Sequence, residues 1–347
     1  MAVVCQQLDD ASAPAWDAFV HAHPQGTFFH LAAWRKVIAR AFRHTPSYVF
    51  ATQDGAVTGV LPMVRVRSAL FGDTLISNPF CVYGGPLTAS EEARATLFGY
   101  AAELQAQMRT SAVEFRFRDQ PNEACESGWE GGPDIYVTFR KPIDGDPEKN
   151  MKAIPRKQRA MVRKGIQNGL ASVVSHDADT LHRVYAESVR NLGTPVFSRQ
   201  YFRILADTFQ AQSDIVTIVD QEKPIASVMN FYFRDEVLPY YGGGALAARH
   251  RAANDFMYWE VMRRAAERGY RLFDFGRSKI GTGSYSFKKN WGFEPAPLHY
   301  RFKLSPGAAV PEHNPLNPKY RLFIAAWKRL PLPVANLLGP HIVRGIG

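Results

Sequence analysis

Between Lys152 and Lys164 the chain carries six basic residues (Lys152, Arg156, Lys157, Arg159, Arg163 and Lys164) and no acidic one. At helical spacing Arg156, Arg159 and Arg163 share one face, with Lys152 a turn earlier. Cations stacked this way repel one another, and a bound polyanion removes the repulsion. A solvated linker helix is the plainer alternative. A second concentration of chemistry lies at Gly276–Gly283 (GRSKIGTG), a glycine-containing loop with basic and hydroxyl side chains. The backbone N–H groups of such a loop can hold phosphate. Just before it, Asp274 stands between Phe273 and Phe275 in a strand, so alternation turns it to the opposite face. Two roles are open to it: a base, or a partner that orients Arg277 or Lys279. The second is favoured, because a carboxylate among cations is a weak base. Tyr240 and Tyr241 precede Gly242, Gly243 and Gly244, where a ligand can approach the backbone closely. Tyr241 is therefore a candidate substrate contact, with a bulge or turn as the alternative reading of the glycines.

Other chemistries find no support. There is no HExxH pair and no Walker GxxxxGK[ST] or GxSxG motif, and His21 and His23 read as a loop pair. Cys5, Cys81 and Cys125 are far apart and form no CxxC pair, which argues against a zinc site or disulfide framework and for a reducing compartment. No metal and no bound cofactor are expected.

The elements that must position these residues repeat. The chain has 347 residues, 46% of them hydrophobic and 21% charged, which is globular and long enough for two cores. In the first half a helix is expected over Phe29–Phe42, strands over Tyr48–Thr52 and Val57–Val66 about the turn Asp54-Gly55, and a third over Leu75–Tyr83. A helix at Ser90–Arg109 and the strand Val113–Arg118 follow. The second half repeats that order: helices near Ala178–Asn191 and Ser198–Gln210, strands at Ile215–Val219, Ile225–Phe233 and Val237–Gly242, a helix at Ala253–Arg268, and the strand Arg271–Phe275. Tyr48–Val66 lies over Ile215–Phe233 at a constant offset of 167, and EFRFR corresponds to LFDFG. The expectation is a mixed α/β fold in two copies: residues 1–145, residues 146–305 opening with the basic helix, and a tail at 306–347. Residues 1–145 carry 12 Lys/Arg against 15 Asp/Glu and residues 146–347 carry 30 against 17, so a net −3 precedes a net +13. The second copy should therefore meet the anionic partner.

Asn254…Glu260, then AAERGYRLFDFG, then SYSFKKNWGF, resemble the C-terminal half of the Fem aminoacyltransferases, and RKQRAMVRKGIQNG resembles their basic helix. NPFCVYGGPL, GTPVFS and FDFGRS look most like Fem-type proteins associated with exosortase (PEP-CTERM) systems. The resemblance covers roughly residues 25–305. It implies two tandem GNAT-like domains and acyl transfer to an amine, with aminoacyl-tRNA as the donor in the better-known relatives and a cell-envelope precursor as acceptor. Lys288 matches the family's phenylalanine-lysine motif. Its implied role is electrostatic, on a phosphate or on the charge that builds on the carbonyl oxygen, with Lys289 and Arg277 in support. The first copy would shape the acceptor groove. No charged helical hairpin is inserted in the second half, so other donors stay open. The rival is an N-acyltransferase dependent on acyl-CoA or an acyl carrier, but at Arg249–Asn254 neither glycine of the usual pyrophosphate loop is present. A non-catalytic adaptor for anionic envelope precursors or nucleic acid is the third reading.

The N-terminus has no basic start followed by an apolar run, and no uninterrupted apolar stretch reaches the ~18 residues of a membrane span. A cytoplasmic protein at the inner face of the membrane is expected. Tyr320–Gly347 mixes Leu, Ile, Phe and Trp with basic residues, which suits an amphipathic segment on an anionic membrane, although Pro331, Pro333 and Pro340 should break it.

Overall fold

The computed structural model describes residues 2–68, 72–121, 128–311 and 321–347; Cys125 and Tyr320 lie outside them. The first elements are β1 (Val4–Gln7), α1 (Ala13–Ala22), α2 (Trp34–Phe42), β2 (Pro46–Gln53), β3 (Ala56–Ser68) and β4 (Gly72–Ser77). They continue with β5 (Leu87–Thr88), α3 (Glu91–Met108), β6 (Ala112–Phe117), β7 (Glu130–Gly131) and β8 (Tyr136–Pro142). Next come α4 (Pro147–Ala153), α5 (Arg156–Gln167), β9 (Ala171–Ser175), α6 (Ala178–Leu192), α7 (Arg199–Thr208), β10 (Ser213–Asp220), β11 (Lys223–Phe233) and β12 (Glu236–Gly244). The last are α8 (Leu246–Arg251), α9 (Ala253–Glu267), β13 (Leu272–Asp274), β14 (Ser278–Lys279), α10 (Gly283–Asn290), β15 (Pro295–Pro297), β16 (His299–Leu304), α11 (Arg321–Trp327) and α12 (Leu332–Val343).

Two sheets result, with strand orders β1-β2-β3-β4-β6-β16-β7 and β14-β8-β13-β12-β11-β10-β9. They repeat each other closely. The β2/β3 ladder slips between Ala51 and Thr52, and the β10/β11 ladder slips between Ile218 and Val219, 167 residues on. The β2–β3 turn places Asp54 and Gly55 at positive φ, and its counterpart places Gln221 and Glu222 there. A two-residue hairpin needs that conformation whichever residues supply it.

The copies do not divide where composition suggests. The first unit takes residues 1–136, 297–313 and 344–347, and the second takes 137–296 and 314–343. The limit falls near 136 instead of 145 because β8 pairs with β13, through Leu272↔Pro142 to Asp274↔Arg140. The strand β16, whose residues fall within the stretch expected for the second copy, pairs instead with β6 in the first sheet, from His299↔Phe117 to Leu304↔Ala112. Each sheet thus takes the strand beside its β6 or β13 from the other copy's stretch of sequence. Two further expectations change locally. The strand expected to Tyr83 ends at Ser77, since Asn78 and Phe80 adopt positive φ. The helix expected from Phe29 begins at Trp34, after a 3₁₀ turn over Phe28–His30 closed by reciprocal bonds between Thr27 and His30. In the tail the chain does break after α11, yet Pro333 and Pro340 lie within α12; Pro333 sits in the first turn, where a missing N–H costs no helix bond.

Between α5 and α9 the fit is tight: a Cβ at Gly165 would lie 2.6 Å from Phe256 Cβ. Gly165→Ala should therefore destabilise by about 1–3 kcal/mol, overpacking outweighing the gain in helix propensity. Gly99 in α3 is exposed with nothing within 4 Å of such a Cβ, so Gly99→Ala should stabilise by about 0.5–1 kcal/mol. Urea midpoints moving in opposite directions at constant m would show both effects.

Candidate active site

In the second unit β12 and β13 run parallel but share only two register pairs, Glu236↔Leu272 and Val237↔Phe273. Beyond them β12 continues to Gly244 while the other strand turns away after Asp274, so a wedge opens between the two. Opposite the wedge the β11/β12 ladder slips between Met229 and Asn230, leaving Tyr240 as an extra, bulged residue. Side chains along this stretch alternate. A Cβ at Gly243 would meet Ser188 of α6, and one at Gly242 would lie 2.8 Å from Tyr258 Oη of α9. Tyr258 then stacks edge-on to Phe275 at 5.0 Å and lies 5.6 Å from Phe287, closing one side of the wedge. Burial pushes the Tyr258 phenol up to about 12, and Asp255 adds to that, so it stays a proton donor. One turn earlier Asn254 packs against Gly244, and its Oδ1 is buried with no hydrogen-bond partner among the described residues.

Lys288 stands in the last turn of α10. Its side chain turns inward. Nζ donates to Gly276 O and to Arg277 O, each at 3.0 Å, and lies 5.7 Å from the Phe139 ring centroid. Desolvation lowers its pKa to about 7; Asp274 partly opposes the shift and Arg277 adds to it. The turn that supplies the two carbonyls is fixed by Asp274, which is buried. Its Oδ1 accepts from Gly276 N at 2.7 Å and Thr138 Oγ1 at 3.4 Å, and its Oδ2 pairs with Arg140 Nε at 3.4 Å. Arg140 also pairs with Glu236. The carboxylate thus holds the loop that holds the lysine. Arg277 is half-buried beside it, and Lys289 is exposed on α10.

A lowered lysine pKa has a stability consequence. Between about 7 and 10.5 the unfolded chain binds the Lys288 proton and the folded chain does not. Stability therefore rises with pH across that window, and Lys288→Met should flatten this part of the profile. Urea unfolding at two pH values inside the window would test it; parallel profiles for the two proteins would count against it.

The basic helix is present as expected. Gln158, Val162 and Gly165 of α5 are buried, and Arg156 and Arg163 lie exposed on the far side with Lys157 and Lys164. Arg159 is half-buried and donates to Lys152 O at 3.3 Å. Among the described residues none of these five cations has an acidic partner. Pro155, at the head of the helix, touches Gly292 just beyond α10: a Cβ there would be 3.1 Å from the Pro155 ring. The basic face and the lysine therefore lie on adjoining elements.

Tyr241 is placed differently from expectation. It is buried on the α6/α7 side of the sheet, where its hydroxyl bonds Tyr201 Oη at 2.6 Å and its ring meets Tyr185, Phe197 and Phe202. Alternation puts it on the face away from Tyr258. Asn254 and Tyr258 fall within the Asn254…Glu260 string of the resemblance without being singled out by it, and Thr138 and Arg140 carry no motif.

The first unit has the same wedge, but it is stitched shut. β4 and β6 pair from Thr74↔Ala112 to Ile76↔Glu114. Beyond these pairs the N–H groups of Gly84 and Gly85 both donate to Arg116 O, at 3.1 and 2.9 Å. Arg116 takes the place that Asp274 has in the other copy, and it is buried with Glu114 while donating to Cys81 O. His30 backs the seam through Nε2 to Gly85 O at 2.9 Å, and burial lowers its pKa to about 3. Beside this seam a small cavity remains, lined by His30, Gly85, Arg116 and Arg118 among others.

A family model described as an acetyltransferase (GNAT) domain matches residues 149–289. No curated protein matches the chain. Among solved structures, FemX aligns with a TM-score of 0.68 at 14% identity, covering 92% of this chain and 100% of its own. A tandem GNAT protein from the clavulanic acid biosynthesis pathway gives 0.54 at 14%, covering 89% and 100%. L-PGS from Bacillus licheniformis gives 0.55 at 12%, covering 94% and 99%. The matched segment contains the wedge, the basic helix and Lys288. With two sheets of one plan and the acetyltransferase (GNAT) model matching within the second unit, the chain has a tandem GNAT-like fold, and the match supports a transferase.

Proposed function

We propose that the second unit forms an amide by moving an aminoacyl group from aminoacyl-tRNA to an amine of a cell-envelope or exopolysaccharide-related acceptor at the cytoplasmic face of the membrane. The observation that carries this reading is the exposed, acid-free face of α5 leading to the helix that bears Lys288. A polyanion laid on Arg156, Arg159 and Arg163 brings its acylated end toward the wedge. The amine nitrogen attacks the donor carbonyl, the C–N bond forms, and the ester C–O bond breaks with the amine proton passing to the departing hydroxyl. Lys288 has three protons, two of them given to Gly276 and Arg277, and the third meets the oxyanion. Asp274 positions that lysine, and Arg277 and Lys289 support it with positive charge. Tyr258 and Asn254 offer hydrogen bonds to the donor. The association with exosortase systems is part of the same proposal and rests on the NPFCVYGGPL, GTPVFS and FDFGRS strings alone.

A second reading, transfer from acyl-CoA, is favoured by Ala252. It stands where the pyrophosphate loop has its first glycine and keeps a left-handed conformation, with φ of 60°. Against it, the first turn of α9 carries Asp255, which is buried and accepts from Trp291 Nε1 at 3.0 Å. A carboxylate at a helix N-terminus competes with a phosphate there. Single-turnover transfer to an amine acceptor from radiolabelled aminoacyl-tRNA, with acyl-CoA in parallel, decides the matter. Product from aminoacyl-tRNA alone supports the proposal, and product from acyl-CoA alone replaces it with the second reading. Tight binding of either donor without product would leave an adaptor.

A further inference from the structure

From His313 to Gly347 the chain has no acidic residue and five basic ones, Lys319, Arg321, Lys328, Arg329 and Arg344. Within it α11 and α12 each bury one side on the second unit. Ile324 sits on Gly193, Trp327 is buried, and Arg190 Nη1 donates to Lys328 O at 3.2 Å. Gly339 lies against the Val196 backbone, and Ala335 and Val343 are buried with it. The other sides are apolar and open. Leu322 is 83% exposed and Leu337 68%, and Phe323, Val334 and Leu338 are exposed with them. Val334, Leu337 and Leu338 fall on one helix face at spacings of three and four. Arg321 opens α11 and Lys328 and Arg329 follow it, all exposed, and none has an acidic partner among the described residues.

We propose that the outer sides of α11 and α12 dock the chain on an anionic lipid surface. The leucines enter the boundary between headgroups and acyl chains, and Arg321, Lys328 and Arg329 meet lipid phosphates. Two features favour lipid over the other occupants. A nucleic acid would satisfy the cations and leave the leucines in water. A second copy of the chain would cover the leucines, but it would set each acid-free basic rim against another.

Co-sedimentation of the full chain with phosphatidylcholine vesicles, and with vesicles of phosphatidylcholine and phosphatidylglycerol, tests this directly. The protein should sediment with the anionic vesicles, less so in high salt, and only weakly with the neutral ones. Leu322→Ser with Leu337→Ser should reduce the partition coefficient by about tenfold or more for each leucine. Arg321→Gln, Lys328→Gln and Arg329→Gln together should remove the preference for anionic vesicles and the salt dependence. Both sets change exposed side chains, and circular dichroism checks that the fold persists. Absence of wild-type partitioning, or partitioning unchanged in both variants, overturns the proposal. A dimer seen by sedimentation equilibrium that the leucine variant dissolves would assign the face to a second copy instead.

Discussion

Replacing Lys288 with methionine should lower kcat by about 10²–10³-fold, the usual cost of losing one preorganised oxyanion donor. Donor KM should change little, since two of the lysine's protons serve the loop and the third serves charge that develops only in the transition state. Lys288→Arg should not rescue it, because a longer, planar guanidinium does not reproduce the three tetrahedral directions in which one ammonium meets the two carbonyls and the oxyanion. The pH profile adds a signature that a merely structural lysine lacks. With its pKa held near 7, the ammonium is lost as pH rises, so wild-type kcat/KM should fall through about that value. A profile that rises there would make the neutral amine a general base and reverse the assigned role. Full turnover by the methionine variant would remove Lys288 from the chemistry altogether.

Changing Arg156, Arg159 and Arg163 together to glutamine should weaken aminoacyl-tRNA binding by about 10²-fold, on the basis of three lost charge-assisted contacts partly offset by their exposure. The slope of log K against log salt should flatten by about 2–3. The buried residues Gln158, Val162 and Gly165 are untouched and only the Arg159 bond to Lys152 O is lost, so stability should fall by no more than about 1 kcal/mol. Acyl-CoA binding, if present, should respond much less, since CoA offers few phosphates. A salt slope unchanged by the triple substitution would place the nucleic acid elsewhere or exclude it.

Most of the repeat could be read from the residues, because it resides in local pattern. The 167-residue offset survives down to the position of a ladder slip. The hairpin at Asp54-Gly55 is recognisable from its turn chemistry, whereas Gln221-Glu222 shows the same backbone without the usual residues. The pairing of β8 with β13 and of β16 with β6 depends on contacts between residues over a hundred positions apart, which periodicity does not encode. At the site, Lys288 and Asp274 stand out by motif and alternation, but the inward turn of the lysine depends on two carbonyls that no side-chain pattern announces. Tyr241 misleads for a simple reason: its neighbour Tyr240 is bulged, and in strands a single residue decides which face a side chain takes. The missing glycine at Ala252 misleads in the opposite sense, since its backbone conformation persists without it.

The placement of β16 also sets a timetable. β6 ends at Phe117, and the strand that covers its edge begins at His299. During synthesis at roughly 5–20 residues per second, the ~180 intervening residues take roughly 10–40 s to emerge. Over that interval the nascent first sheet presents an unpaired edge to whatever else lies near the ribosome. The second sheet waits far less, since β8 emerges ahead of all its partners. Newly made chains should thus depend on a holding chaperone mainly for their N-terminal half. Release of a fragment ending before residue 299 should give a sticky product, not a small folded domain.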